Sequence, residues 1–206
     1  MGIFGFGSKK TEAAPATAPA ATLSLDLTKG QLLDLTKAAP GLENVDVGAG
    51  WNPAKHGKSF DLDLCAYLYN GAGALVDTVY FGDKRAKGIF LNGDNLTGVG
   101  AGDDEVISCN LKEINGDVKK IVFGVVIYHG SAKGQGFSMV NDAFIRLVDK
   151  RNNSEICRFN MTESGGDATA VAAAALEKNG DVWSFRGIEE YSNDTVDSLG
   201  RKCSNY

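Results

Sequence analysis

The sequence predicts a mainly all-β fold, a β-sandwich of two sheets with short helical turns and a disordered N-terminal tail. Three observations carry this. Short segments in which apolar and polar residues alternate, the period of a half-buried strand, recur along the chain between turn residues. Ile121 to Ile127 (IVFGVVI) is a nearly continuous apolar run, as expected of a central strand buried on both faces. Patterns of helical period are few, and many strands with few helices point to a sandwich.

In chain order, Met1 to Gly7 (MGIFGFG) is a short apolar tip, followed by Lys9 and Lys10. That order is the reverse of a secretory signal. Residues 8–22 hold Pro15 and Pro19, much Ala and Thr, and no large apolar side chain, so they cannot bury enough surface to order themselves. Residues 1–22 are therefore expected to be a flexible tail, and residues 23–206 the sandwich domain. Leu-Asp-Leu-Thr-Lys occurs at 25–29 and again at 33–37, and with Lys29-Gly30 between the copies it suggests a hairpin or bent strand pair. Further strands are expected near 44–50, 59–69, 75–81, 104–109, 118–128, 143–149 and 154–161. Asn70-Gly71 and Asn152-Asn153 fit tight turns. Residues 168–176 are rich in alanine, which favours helix. Asn179-Gly180 and the strand-like stretch from Val182 to Ile188 nevertheless favour strand-turn-strand. Tyr191 to Leu199 reads as a short helix.

The 206 residues suit one domain, and the 43% hydrophobic fraction supports a core. A formal net charge of -5 argues against nucleic acid as the main partner, since phosphate binding needs a basic surface. No apolar run reaches the length of a membrane span. Cys65, Cys109, Cys157 and Cys203 are widely spaced with no CxxC, so they read as buried thiols in a reducing compartment.

The most informative stretch is Asn92 to Glu105 (NGDNLTGVGAGDDE), which combines four glycines with Asp94, Asn95, Asp103, Asp104 and Glu105. Glycine lets a loop turn its carbonyls inward, and carboxylates with carbonyls are the ligands a calcium ion takes. Asp94 and Glu105 fall at positions one and twelve of an EF-hand loop. Positions three and five are Leu96 and Gly98, however, and the flanks read as strand, so that motif is rejected. Upstream, Asp61 and Asp63 alternate with Leu62 and Leu64, which places both carboxylates on one strand face. Near the glycine loop, the six carboxylates would repel one another unless a cation offset them. An ordinary turn with solvated acids is the alternative.

These residues, with others, resemble the TerD family. The resemblance is carried by Ala39-Pro40-Gly41-Leu42, Val47-Gly48-Ala49-Gly50-Trp51, Phe60-Asp61-Leu62-Asp63, Gly93-Asp94-Asn95-Leu96-Thr97-Gly98 and Gly102-Asp103-Asp104-Glu105. It continues through Gly134-Gln135-Gly136-Phe137 and Ala143-Phe144-Ile145-Arg146, in order, across about residues 23 to 190. It implies a compact β-sandwich with calcium near the loops, and a role in resistance to tellurite and general chemical stress. It also implies a cytoplasmic location peripheral to the inner membrane, in an assembly with other stress-response proteins and with self-association open. The implied ligands are Asp61, Asp63, Asp94, Asn95, Thr97, Gly98, Asp103, Asp104 and Glu105, for one calcium ion or two. Members often carry further acids where this chain has Val99 and Ala101, and a His-acid pair where it has Tyr128 and His129, which weakens any second site.

No enzyme is expected. The chain has two histidines, His56 and His129, neither in a catalytic motif, and no nucleophile elbow, phosphate loop or dinucleotide fingerprint. The alternatives are a constitutive scaffold without functional metal and a metal-dependent phosphoester hydrolase built on the carboxylates.

Overall fold

The computed structural model describes residues 24–53, 60–86, 88–92, 102–114 and 116–206; the N-terminal tail expected at residues 1–22 lies outside them. Among the described residues the strands, in chain order, are β1 (Leu25–Leu27), β2 (Leu32–Asp34), β3 (Asn44–Pro53), β4 (Leu62–Asn70), β5 (Leu75–Val79), β6 (Arg85–Ala86) and β7 (Ile89–Leu91). They continue with β8 (Glu105–Asn110), β9 (Val118–Ile127), β10 (Val140–Asp149), β11 (Ser154–Asn160), β12 (Ala170–Asn179) and β13 (Val182–Ser192). Helices are short: α1 (Leu35–Ala38), α2 (Gly130–Lys133) and α3 (Val196–Lys202). None is long and apolar enough to cross a membrane.

The strands form two sheets. One has seven strands in the order β1-β11-β10-β3-β8-β7-β6, the other six in the order β2-β13-β12-β9-β4-β5. Strand β1 runs parallel to β11, whereas the pairs that centre on β9 are antiparallel. Every residue from Ile121 to Ile127 is buried, as its composition predicts. Alternation sets the two faces of β4. Leu62, Leu64, Ala66 and Leu68 enter the core between the sheets. Cys65, Tyr67 and Tyr69 leave on the outer face, where Leu199 of α3 and Cys203 cover them. All four cysteines are buried, free thiols.

The alanine-rich segment is indeed a strand. Its neighbour decides this: Ala172 lies opposite Gly124 of β9, and small side chains on both strands leave room for α3. A Cβ on Gly124 would come within 2.7 Å of Leu199 Cδ2.

Two expectations fail. The repeated pentapeptides do not pair with each other. The first supplies β1, in the seven-stranded sheet. The second ends β2, in the six-stranded sheet, and then coils into α1 because Asp34 Oδ1 accepts from the Thr36 and Lys37 amides. Near the C-terminus, β13 runs on to Ser192, so helix begins only at Val196. Thr195 and Ser198 set that start by capping each other's backbone amides.

Candidate functional site

Three backbone anchors place the C-terminal end of the acidic segment. The Asp104 amide donates to Ala49 O at 2.8 Å, and Asp104 Oδ2 accepts from the Trp51 amide at 2.9 Å, so Asp104 is fastened at both ends to β3. Next along, Glu105 opens β8 opposite Ala49 and is only 2% exposed. Its Oε2 accepts from the Leu64 amide at 2.5 Å. Leu64 belongs to the other sheet, so this bond ties the acidic segment to the beginning of β4. Asp61 and Asp63 sit there. Asp61 is half-buried with its carbonyl accepting from the Tyr128 amide at 2.8 Å, and Asp63 is 5% exposed. The two stretches expected to converge therefore meet at one point, the bond between the Leu64 amide and Glu105, while the Asp61, Asp63 and Glu105 carboxylates do not form one metal-holding group.

Asp103 departs from that group. In β3, Gly48 lies between Val106 of β8 and Arg146 of β10. It carries no side chain, and the Asp103 carboxylate occupies the space: a Cβ on Gly48 would fall 2.2 Å from Asp103 Cγ. Across that gap Asp103 meets Arg146 with two bonds, Nε to Oδ1 at 2.6 Å and Nη2 to Oδ2 at 3.0 Å. Arg146 stands between the core residues Ile145 and Leu147, so its side chain leaves on the outer face of the seven-stranded sheet. Asp63, between core residues Leu62 and Leu64, leaves on the outer face of the six-stranded sheet. The described carboxylates thus do not crowd one point, and the Arg146 guanidinium offsets Asp103.

The network extends outward. Arg146 Nη1 reaches Glu155 Oε2 at 2.9 Å, and Arg158 Nη2 reaches the same oxygen at 2.7 Å. Burial pushes the Glu155 carboxyl up, but hydrogen bonds from Arg158, Ser24 and Arg146 outweigh it and bring the pKa down to about 2. Arg146 is held more firmly protonated, chiefly by Asp103. Sequence reasoning gives Arg146 no role of its own beyond its place in Ala143-Phe144-Ile145-Arg146. The signal that marks its role is a cation within the apolar run Ala143–Val148, which demands a carboxylate partner.

Asp94, Asn95, Thr97 and Gly98 lie outside the described residues, as does His56. Among the described residues no group of three or more His, Cys, Asp or Glu side chains is arranged to hold a metal ion. Calcium needs about six to eight oxygens. Asp61, Asp63 and Glu105 could each lend oxygens to such a shell, but as placed they do not form one group that holds an ion. Asp103 is spent on Arg146, and Asp104 has committed one oxygen to Trp51.

Comparison with known proteins agrees with this architecture. The TerD domain model matches residues 23–203. Stress response protein SCP2 of Bacillus subtilis is 35% identical over 193 residues, covering 84% of this chain and 95% of that protein. Tellurium resistance protein TerD of Alcaligenes sp is 38% identical over 172 residues, covering 81% and 90%. A crystal structure of a homologue of telluride resistance protein (TerD) from Streptomyces coelicolor superposes with a TM-score of 0.66 at 23% identity, covering 80% of this chain and 98% of that one, and so shows the shared fold. These relatives are named for resistance and stress, not for a reaction. The chain belongs to the TerD domain family.

Proposed function

We propose that this protein is a calcium-binding, non-enzymatic interaction module that serves the response to chemical stress, including tellurite. The carrying observation is the bond from the Leu64 amide to Glu105 Oε2, which draws the end of the acidic segment onto the strand that bears Asp63 and follows Asp61. Asp61, Asp63 and Glu105 would hold the ion together with Asp94, Asn95, Thr97 and Gly98. Asp103 and Asp104 would instead fix the stem of the loop, through Arg146 and Trp51. When bound, calcium supplies the positive charge that lets these acids share one end of the sandwich. The names of the relatives support the stress role. Other proteins of a stress-response assembly, met in the cytoplasm at the inner membrane face, are the partners this reading expects, with self-association among them and nucleic acid excluded by the acidic charge.

The test is calorimetric titration of calcium into chelator-treated protein, with the melting temperature followed in parallel. Heat of binding together with a raised Tm supports the reading, and neither appearing rejects it. The constitutive scaffold is the second reading. The Asp103–Arg146 pair favours it, because one acid of the segment is already neutralised without metal.

A further inference from the structure

A cavity of about 420 Å³ opens on the outer face of the six-stranded sheet, away from Arg146 and its partners. Asp63, Val126 and Ile127 line it where β4 begins and β9 ends, and residues 193–197 leading into α3 form one wall. The opposite wall is aromatic. Tyr80, Phe81, Tyr128 and His129 form a chain of edge-to-face rings, with centroids 5.2, 5.7 and 4.2 Å apart in turn. Phe81 and Tyr128 remain 38% exposed. His129 is held at φ 56°, ψ 28°, in the left-handed region that few residues other than glycine adopt, at the corner where its ring meets Tyr128.

The charge of the lining is one-sided. Asp63, Asp194 and Asp197 contribute to it, and among the described residues neither lysine nor arginine does. Asp194 is partly satisfied by Ser198 Oγ and by Lys202 Nζ at 3.1 Å. Ring faces carry negative potential and attract cations. The chain already uses this: Lys133 Nζ lies 5.2 Å from the centroid of Tyr128. An anion would meet the aspartates. A bare metal ion would find carbon faces in place of the oxygen shell it needs. An ammonium head on an aliphatic stem suits both, with the head against ring faces and carboxylates and the stem against Val126, Ile127 and Val196.

We propose that this cavity binds an organic ammonium group carried on an aliphatic stem, as on a lysine side chain of a partner protein or on a free polyamine. The proposal does not depend on calcium, although Asp63 contributes to both sites, and it is tested with the metal removed.

The probes are n-butylammonium and n-butanol, matched in stem and differing in charge. They are titrated into the full chain in excess chelator while the backbone amide resonances are followed. The ammonium should shift Tyr128, His129 and Thr195 and bind about tenfold more tightly than the alcohol. Tyr128→Leu and Phe81→Leu, both at exposed positions, should each weaken it about fivefold while the rest of the spectrum is unchanged. A lysine-bearing peptide and spermidine are then compared, and the tighter binder names the source. Equal affinity for butylammonium and butanol would overturn the proposal. So would shifts that avoid the cavity, unchanged affinity in both leucine variants, or failure of both the peptide and spermidine to bind. Because chelator is present throughout, a negative calcium titration leaves this result standing, and the reverse is also true.

Discussion

The Leu64 amide and the Glu105 carboxylate meet at 2.5 Å across the two sheets. Glu105 is inward-facing and 2% exposed, so a carboxylate has been buried to satisfy a strand amide that β5 does not reach. Removing the acceptor would strand a buried N–H, which costs about 1–3 kcal/mol. Glu105→Ala should therefore lower stability by about that amount in denaturant unfolding, even in chelator. Glu105→Gln keeps an acceptor oxygen and should cost less, while still weakening calcium binding. Equal stability losses in the two variants would show that the bond to Leu64 is not the cause.

The place of Asp103 over Gly48 is equally specific. Gly48→Ala would drive a methyl group into the Asp103 carboxylate, since its Cβ would lie 2.2 Å from Cγ. Overpacking of this kind costs about 1–3 kcal/mol. Because the clash is with one side chain, the loss should shrink when Asp103→Ala is added, giving a non-additive double-mutant cycle. Additive losses would place the strain elsewhere.

Helix α3 offers a case of two opposed effects. Gly200→Ala should gain up to about 1 kcal/mol from helix propensity. The new Cβ, however, would lie 2.7 Å from Tyr67 Cδ1, on a ring that is wholly buried. Repacking that ring costs about 1–3 kcal/mol, so the expected net effect is a lower Tm. A raised Tm would mean that α3 lifts away without penalty.

Acid should probe the Arg146–Glu155–Arg158 network. The Glu155 pKa falls from 4.5 to about 2 on folding. A depressed carboxylate stabilises the fold above its unfolded pKa and loses that contribution as pH falls through the folded one. The stability from Glu155 should thus be complete above about pH 4.5 and drain away toward pH 2. Asp149, lowered chiefly by its bond from Arg151, acts in the same direction. Glu155→Gln should unfold more easily than the parent at neutral pH, and the gap should narrow below pH 4.5. A gap that stays constant down to pH 2 would contradict the assignment.

Much of this was legible before the fold was in hand, for physical reasons. Ile121–Ile127 could only be a buried strand, and alternation at Asp61-Leu62-Asp63-Leu64 correctly put leucines inward and aspartates outward. The two Leu-Asp-Leu-Thr-Lys copies show where local pattern stops. The same five residues become strand beside β11 in one place and strand then helix beside β13 in the other, because their partners differ. In the site, the nearness of the two acidic stretches expected from charge and glycine is met at the Leu64–Glu105 bond. The diversion of Asp103 to Arg146 was not, since it depends on a glycine in one strand facing an arginine 98 positions along the chain in another.

The central claim is that Asp61, Asp63 and Glu105, not Asp103, lie at the metal. Calcium titration by calorimetry of the parent, Asp63→Asn and Asp103→Asn tests it most directly. The parent should bind, Asp63→Asn should lose about tenfold or more in affinity, and Asp103→Asn should bind nearly as the parent does while melting lower. No calcium binding by the parent, or a loss of affinity confined to Asp103→Asn, would contradict it.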